Sequence, residues 1–142
     1  TPLYSSAASD VYKRQVKSYY QDKNSRLEHL IAKHLHEARF YLESTKPGDL
    51  WHEARTLIKQ NFLLMQLAVV HHPQRFSAAT IQEYRDMEQI LGQWHDYTVL
   101  KKYALRCEST RALNINAYVQ TIEQAIHNME QTIQETFPRF AE

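Results

Sequence analysis

The sequence predicts an all-α protein built as an antiparallel four-helix bundle. Apolar side chains recur at spacings of three and four residues in four blocks between residues 25 and 137, which is the period of amphipathic helices. The connections between the blocks are short and polar, as in bundles whose neighbouring helices run antiparallel. The 142 residues include only two glycines and four prolines, fewer than the turns of a β-sandwich or barrel require. These observations together indicate one globular all-α domain.

The first helix is predicted to begin at Ser25, because Ser25 and Glu28 have the spacing of a capping box. The sequence Lys-Pro-Gly at residues 46–48 is expected to end it, since proline and glycine do not continue a helix. Its apolar stripe consists of Leu27, Leu30, Ile31, Leu35, Ala38 and Leu42.

The second and third helices are each preceded by a capping residue. Asp49 is predicted to cap the second helix, which runs from Leu50 to about Val70. Its stripe consists of Ala54, Leu57, Ile58, Leu64, Met65 and Ala68. Ser77 is predicted to cap the third helix, whose stripe consists of Ile81, Tyr84, Met87, Ile90, Leu91, Trp94 and Thr98. Gly92 interrupts the third helix at a cost of about 1 kcal/mol relative to alanine, which indicates close approach of a neighbouring helix.

The fourth helix has the most regular stripe, and Pro138 is expected to end it. The stripe consists of Ile115, Tyr118, Val119, Ile122, Ala125, Ile126, Met129, Ile133 and Phe137. The four apolar faces are enough for one modest core.

Composition excludes several classes of function. The formal net charge is +1, from 17 Lys and Arg against 16 Asp and Glu, and without a basic run we expect no nucleic-acid partner. No apolar run approaches the ~18 residues of a membrane span, so we expect a soluble protein with no membrane partner. Cys107 is the one cysteine, which excludes an internal disulfide and suits the reducing cytoplasm.

The first fifteen residues have a separate interpretation. Residues 5–15, SSAASDVYKRQ, resemble the translation of a transposase adapter used in sequencing libraries. We therefore interpret residues 1–15 as an adapter-derived, non-native segment and residues 16–142 as the helical domain. The alternative is a native polar tail. On the first interpretation the native N-terminus lies outside this sequence, and residues 16–142 are formally neutral.

The sequence indicates neither a metal site nor a catalytic residue. It contains no HEXXH and no C-x-x-C, and a di-iron bundle needs Glu-x-x-His on two helices, which Asp49-x-x-His52 only approximates. Cys107 lies in a charged stretch with no histidine near it in sequence, which argues against a Cys-His nucleophile. We therefore predict that the protein is not an enzyme and uses no cofactor.

A basic pattern, H-x-x-R-x-x-x-K, opens the second helix. His52, Arg55 and Lys59 fall on one helix face, opposite the apolar stripe. The pattern begins in the first turn, where free backbone N–H groups and the helix dipole favour anions. An ordinary solvated charged face would have the same spacing.

The first and third helices carry further candidates. His-Glu-Ala-Arg at residues 36–39 repeats the tetrapeptide at residues 52–55, and Lys33 precedes it by one turn. The third helix contributes His95, followed by Asp96. Asp96 has three open interpretations: it orients His95, it pairs with Arg55, or it is a simple surface carboxylate. If these faces meet, they form a groove lined by His, Arg and Lys that suits an oligoanion.

These patterns resemble the CHAD family (conserved histidine α-helical domain). In that family one helix opens H-x-x-R with basic residues following, and a later helix carries L-G-x-x-[H/R]-D-x-x-V-L. The matching segments here are Leu50 to Leu67 and Ile90 to Leu100, and the resemblance covers about residues 25–137.

The resemblance implies a helical bundle that binds inorganic polyphosphate, or a similar polyanion, along a basic surface without catalysis. The residues expected to donate to phosphate are His52, Arg55, Lys59, His36, Arg39, Lys33 and His95. Family members usually have two four-helix repeats, and this chain supplies about one. The resemblance therefore implies either a fragment or a short member that pairs with itself, as a homodimer of two half-size repeats. The chain departs from the pattern at Gln60 and Asn61, where many members have Arg or Lys, and its net charge argues against strong polyanion affinity.

The alternative is a helical interaction or scaffold module that keeps the bundle but has lost phosphate binding. The arrangement of the basic residues distinguishes the two hypotheses. Convergence on one concave face favours binding, whereas scatter, or neutralisation by Glu28, Glu37 and Glu53, favours the scaffold.

Overall fold

The computed structural model describes residues 2–44, 48–108 and 115–141, and in those residues it is entirely α-helical apart from turns. The helices are α1 (Pro2–Ser44), α2 (Asp49–His71), α3 (Ala78–Glu108) and α4 (Ile115–Thr136), followed by a single 3-10 turn at Phe137–Arg139. The predicted all-α class and the number of helices are confirmed. Among the described residues, no helix combines the length and apolar character that crossing a bilayer requires.

The chain divides into two compact units, one up to Lys33 and one from His34 onward. The first unit is a single helical segment. The second contains the end of α1 and all of α2, α3, α4 and the 3-10 turn. The candidate functional residues lie in the second unit, except Lys33.

The predicted start of the first helix at Ser25 is wrong, because α1 is continuous from Pro2 through Ser25 to Ser44. A serine caps a helix only where the preceding residues leave the helical conformation. Residues 3–24 contain neither glycine nor proline, and proline at the first turn of a helix is tolerated. The structure leaves the boundary at residue 15 a prediction.

The other predicted caps have mixed outcomes. Ser77 caps α3 as predicted, since its Oγ accepts a hydrogen bond from the Thr80 backbone N–H at 3.1 Å. The prediction for Asp49 is wrong by one residue: the N-cap of α2 is Gly48, whose carbonyl accepts from the Trp51 N–H at 3.1 Å. Gly48 makes no side-chain cap, so the first N–H groups of α2 have no capping side chain there.

Side-chain contacts show that α2 and α3 run antiparallel. The Trp51 and Trp94 rings lie 5.3 Å apart at one end of the pair. Ten residues further along α2, Asn61 Nδ2 donates to Tyr84 Oη at 3.4 Å, so the partner on α3 comes earlier in the sequence. The helices are joined by residues 72–77, a length typical of antiparallel neighbours.

The remaining helices of the second unit also alternate in direction. Trp94 Nε1 donates to Glu130 Oε1 at 3.1 Å, and Lys101 Nζ lies 3.3 Å from Glu123 Oε1, which sets α4 antiparallel to α3. On the other side, His34 of α1 contacts Asn61 of α2. The predicted antiparallel bundle is therefore confirmed.

The core follows most of the predicted stripes, but Leu30 and Tyr118 are exposed. The buried Trp51 and Phe140 were in no predicted stripe. The buried apolar side chains of the second unit are Ala38, Leu42, Trp51, Ala54, Ile58, Met65, Ala68, Tyr84, Met87, Leu91, Trp94, Val119, Ile122, Ile126, Ile133, Phe137 and Phe140. Tyr118, which we predicted in the α4 stripe, is 71% exposed. Its neighbour Val119 occupies the inward position, and one residue along a helix turns a side chain by about 100°.

One polar side chain is fully buried in this core and joins three helices. Asn61 Oδ1 lies 2.9 Å from His34 Nδ1, and Asn61 Nδ2 donates to the Tyr84 hydroxyl. Burial raises the pKa of Tyr84, so its hydroxyl stays protonated at neutral pH. No sequence pattern indicated this network, because Asn61 stood out only as a departure from a basic pattern.

Candidate anion-binding cleft

His52 and His95 face each other where α2 begins. Their ring centroids are 4.8 Å apart, with the ring planes inclined by 33°. Each histidine follows a buried tryptophan: Trp51 and Trp94 are 0% and 4% exposed and pack against each other. Because the tryptophans fix the register of the two helices, the next residue on each helix emerges at the same edge. The Trp-His dipeptide occurs at residues 51–52 and again at residues 94–95, and this repeat is the signal in the sequence that could have predicted the pair.

Arg55 lies one turn after His52, between α2 and α3. Its Nη2 is 4.0 Å from Glu88 Oε1, and both side chains are 24% exposed. A Cβ added to Gly92 would lie 3.5 Å from Nη2, so the guanidinium lies along the α3 backbone at the glycine. The close approach predicted at Gly92 is thus made by a side chain of α2. Arg55 Nε is buried and has no acceptor among the described residues.

A cleft of about 520 Å³ opens beside the two histidines. Trp94 and Ile126 contribute apolar surface, and Gly48 brings the N-terminal end of α2 to the same cleft. Polar atoms come from His52, His95, Thr98, Lys101, Lys102 and Glu130. The cleft therefore combines basic side chains, one carboxylate and a helix N-terminus, which favours negative charge.

The environment of His95 favours its neutral form. Burial lowers the pKa of His95 most, and the positive charges of His52 and Arg55 lower it further. Asp96 opposes these effects, and Lys102 adds a smaller lowering. In the absence of a ligand, the imidazole is therefore mainly neutral at pH 7. An anion in the cleft would favour the protonated form.

Three other polar groups of the cleft already have partners. The Thr98 hydroxyl donates to the His95 carbonyl at 2.7 Å, and Lys101 Nζ pairs with Glu123. Glu130 is half-buried and holds the Trp94 indole N–H. These contacts fix the walls of the cleft.

Of the seven predicted binding residues, the structure brings three together: His52, Arg55 and His95. Only His52 and His95 line the cleft; Arg55 lies beside them, and Lys59 is exposed one turn beyond Arg55. The other five predicted residues are therefore not among the described residues that line the cleft, and this scatter favours the scaffold hypothesis. The carboxylate beside Arg55 is Glu88, not Asp96, which is exposed and acts on His95 only through its charge. His52, Arg55 and Lys59 were predicted on one face opposite the apolar stripe; His52 and Lys59 are exposed, but Arg55 is half-buried against α3.

The candidates on α1 are not among the described residues that line the cleft. Arg39 Nη2 donates to the Phe140 carbonyl at 2.7 Å and so holds the C-terminal turn. His36 is exposed on α1, and Lys33 is exposed in the first unit. A role for these three residues in binding stays a prediction.

Two members of the cleft were not predicted from the sequence. Lys102 was not among the candidates, because its position relative to His52 depends on the α2–α3 register. Glu130 had no sequence signal at all, since it reaches the cleft through the packing of α4 on α3.

The described residues contain no group of three His, Cys, Asp or Glu side chains placed to hold a metal ion. Comparisons of the chain with models of protein families, with curated protein sequences and with solved structures gave no match.

Proposed function

We propose that the protein is a non-enzymatic polyanion-binding module of the CHAD type, with inorganic polyphosphate as its ligand. The observation that carries this proposal is the meeting of His52 and His95 at one cleft, with Arg55 beside them. The two histidines come from separate motifs, yet their rings are 4.8 Å apart. A solvated charged face does not require this pairing.

The chemistry of the three side chains suits phosphate. Arg55 offers a planar fork of N–H donors beside the histidine pair, and its side chain is 24% exposed. A neutral histidine offers one donor and a protonated one offers two, so His95 gains a donor when an anion favours its protonated form. The net charge of +1 restricts the proposal to a local site with few phosphate contacts and modest sensitivity to salt.

The alternative is a helical interaction or scaffold module without a ligand. It is favoured by the acidic groups around the basic ones: Glu88 near Arg55, Glu123 on Lys101, and Glu130 inside the cleft. Such a module needs the tryptophan pair that sets the helix register, but it has no use for the histidine pair.

A binding titration distinguishes the two hypotheses. Long-chain polyphosphate is titrated into the wild-type chain and into the double variant His52→Ala, Arg55→Ala. The matched control, His71→Ala with Arg85→Ala, removes the same residue types at exposed positions of α2 and α3 outside the cleft. We expect at least a tenfold loss for the first variant, equivalent to about 1.4 kcal/mol, and little change for the control. Equal affinities in all three proteins, or no binding by the wild type, would favour the scaffold.

Two further parts of the proposal follow from the sequence. A single cysteine suits function in the reducing cytoplasm. A homodimer that pairs two half-size repeats would reproduce the two-repeat arrangement of the CHAD family, and the mass of the protein in solution, measured by light scattering, tests this.

A further inference from the structure

The cleft beside His52 and His95 contains charges of both signs, contributed by α3 and α4. We propose that Lys102 is a further anion-binding residue, that Glu130 limits the affinity of the site, and that the ligand therefore lies across α3 toward α4. The alternative is that a bound polyphosphate chain follows α2 from Arg55 to Lys59. This inference rests on the proposed function and adds residues to the same site.

Lys102 is the lysine best placed to contact a ligand in the cleft. It lines the cleft together with His52 and His95, and its charge contributes to the lowered pKa of His95, so it acts at the same place. Lys101 is already paired with Glu123 at 3.3 Å. Among the described residues no carboxylate lies within ion-pair distance of Lys102, and its side chain is exposed. Its ammonium is therefore available to phosphate oxygens.

Glu130 acts in the opposite direction. The hydrogen bond from the Trp94 indole holds its carboxylate at the wall of the cleft, where it repels an anion. That hydrogen bond needs an acceptor oxygen but not a negative charge, and a glutamine amide would supply the oxygen. The charge at position 130 is thus separable from the structural role of the side chain. Replacing it with glutamine should strengthen anion binding without disturbing Trp94.

Four single variants, each changing one charge, test the course of the ligand. Lys102→Gln and Glu130→Gln alter the cleft, Lys59→Gln alters the other course along α2, and Glu135→Gln is the control for Glu130. Glu135 is exposed on α4, bonds only to Gln131 among the described contacts and does not line the cleft. Dissociation constants for long-chain polyphosphate are measured over a series of salt concentrations, with circular dichroism and thermal unfolding to confirm that each variant folds.

We expect Lys102→Gln to weaken binding about fivefold, and the slope of log affinity against log salt to fall by about one. Glu130→Gln should tighten binding about threefold or more, because one repulsive charge is removed. Lys59→Gln and Glu135→Gln should each change affinity less than twofold.

The outcomes separate this inference from the function on which it rests. If the wild type binds and the His52, Arg55 double variant does not, the function stands. In that case, a larger loss from Lys59→Gln than from Lys102→Gln, or no gain from Glu130→Gln over Glu135→Gln, would overturn the inference alone. If the wild type does not bind polyphosphate, both proposals fail.

Discussion

Arg55 provides the sharpest test of whether the cleft was selected for a ligand or for stability. Its Nη2 is 4.0 Å from Glu88 Oε1, the outer limit of an ion pair, and its buried Nε–H has no described acceptor. The perturbation is Arg55→Met, which keeps an unbranched aliphatic stem of similar length against α3 and removes the charge and the donors. A residue kept for stability would be expected to make at least one short polar contact, as Arg39 does with the Phe140 carbonyl at 2.7 Å, although Arg39 Nε is also buried without a described acceptor.

The magnitude follows from two opposing terms. Removal of the Arg55–Glu88 pair, in which both side chains are 24% exposed, should cost about 0–1 kcal/mol. Removal of a buried N–H without an acceptor should return about 1–3 kcal/mol. The free energy of unfolding should therefore stay the same or rise by up to about 3 kcal/mol. Polyphosphate affinity should fall at least tenfold in the same variant.

Urea denaturation followed by tryptophan fluorescence measures the stability, because Trp51 and Trp94 report on the α2–α3 packing. The matched control is Arg39→Met. Arg39 Nε is also buried without a described acceptor, but Arg39 Nη2 donates to the Phe140 carbonyl at 2.7 Å. Arg39→Met should therefore be less stable than Arg55→Met by about 1.5–3 kcal/mol. If Arg55→Met instead destabilised the protein by more than about 2 kcal/mol, Arg55 would be a structural residue and our reasoning would be refuted.

Three further predictions concern the same helix pair. His52→Ala should raise the pKa of His95, because a nearby positive charge is removed, and NMR titration measures the change. In the wild type, polyphosphate affinity should rise as pH falls and go on rising below pH 6.5, since the pKa of free His95 is lowered. An affinity that does not change with pH would contradict this expectation. Asn61→Leu should lower the free energy of unfolding in urea by about 2–3 kcal/mol, because the buried Tyr84 hydroxyl loses its partner, whereas a loss below about 0.5 kcal/mol would contradict a structural network. Gly92→Ala should raise the thermal midpoint through a gain of up to about 1 kcal/mol in helix propensity, since the new Cβ would be in ordinary contact with Arg55, and a lower midpoint would show that the contact is strained.

The fold was predictable because helical periodicity depends on local sequence. The stripes of α2, α3 and α4 identified most of the core, since a 3.6-residue period assigns the inward face of each helix. Helix ends were less predictable. The wrong start at Ser25 shows that a capping-box spacing alone does not begin a helix. The preceding residues must also leave the helical conformation, and residues 3–24 do not.

The candidate site was predictable only in the parts that a single helix determines. The spacing of His52 and Arg55 could be read from α2 alone, but the partner of Arg55 could not. The carboxylate nearest Arg55 belongs to Glu88 and not to Asp96, because packing determines which face of α3 is turned toward α2. Glu130 depends on a second packing interface as well, which is why no sequence pattern indicated it.

The register of α2 against α3 links the core to the cleft. It is fixed at one end by the Trp51–Trp94 contact and further along by the Asn61–Tyr84 hydrogen bond. A slip of one helical turn would move a side chain by about 5.4 Å along the axis, which exceeds the 4.8 Å between the two imidazoles. Asn61 therefore helps to hold the two histidines together, because a shift of α2 along α3 would break its hydrogen bond to Tyr84. Polar groups of this kind reduce the number of acceptable core packings, and a site assembled from two helices needs that restriction more than a purely apolar scaffold does.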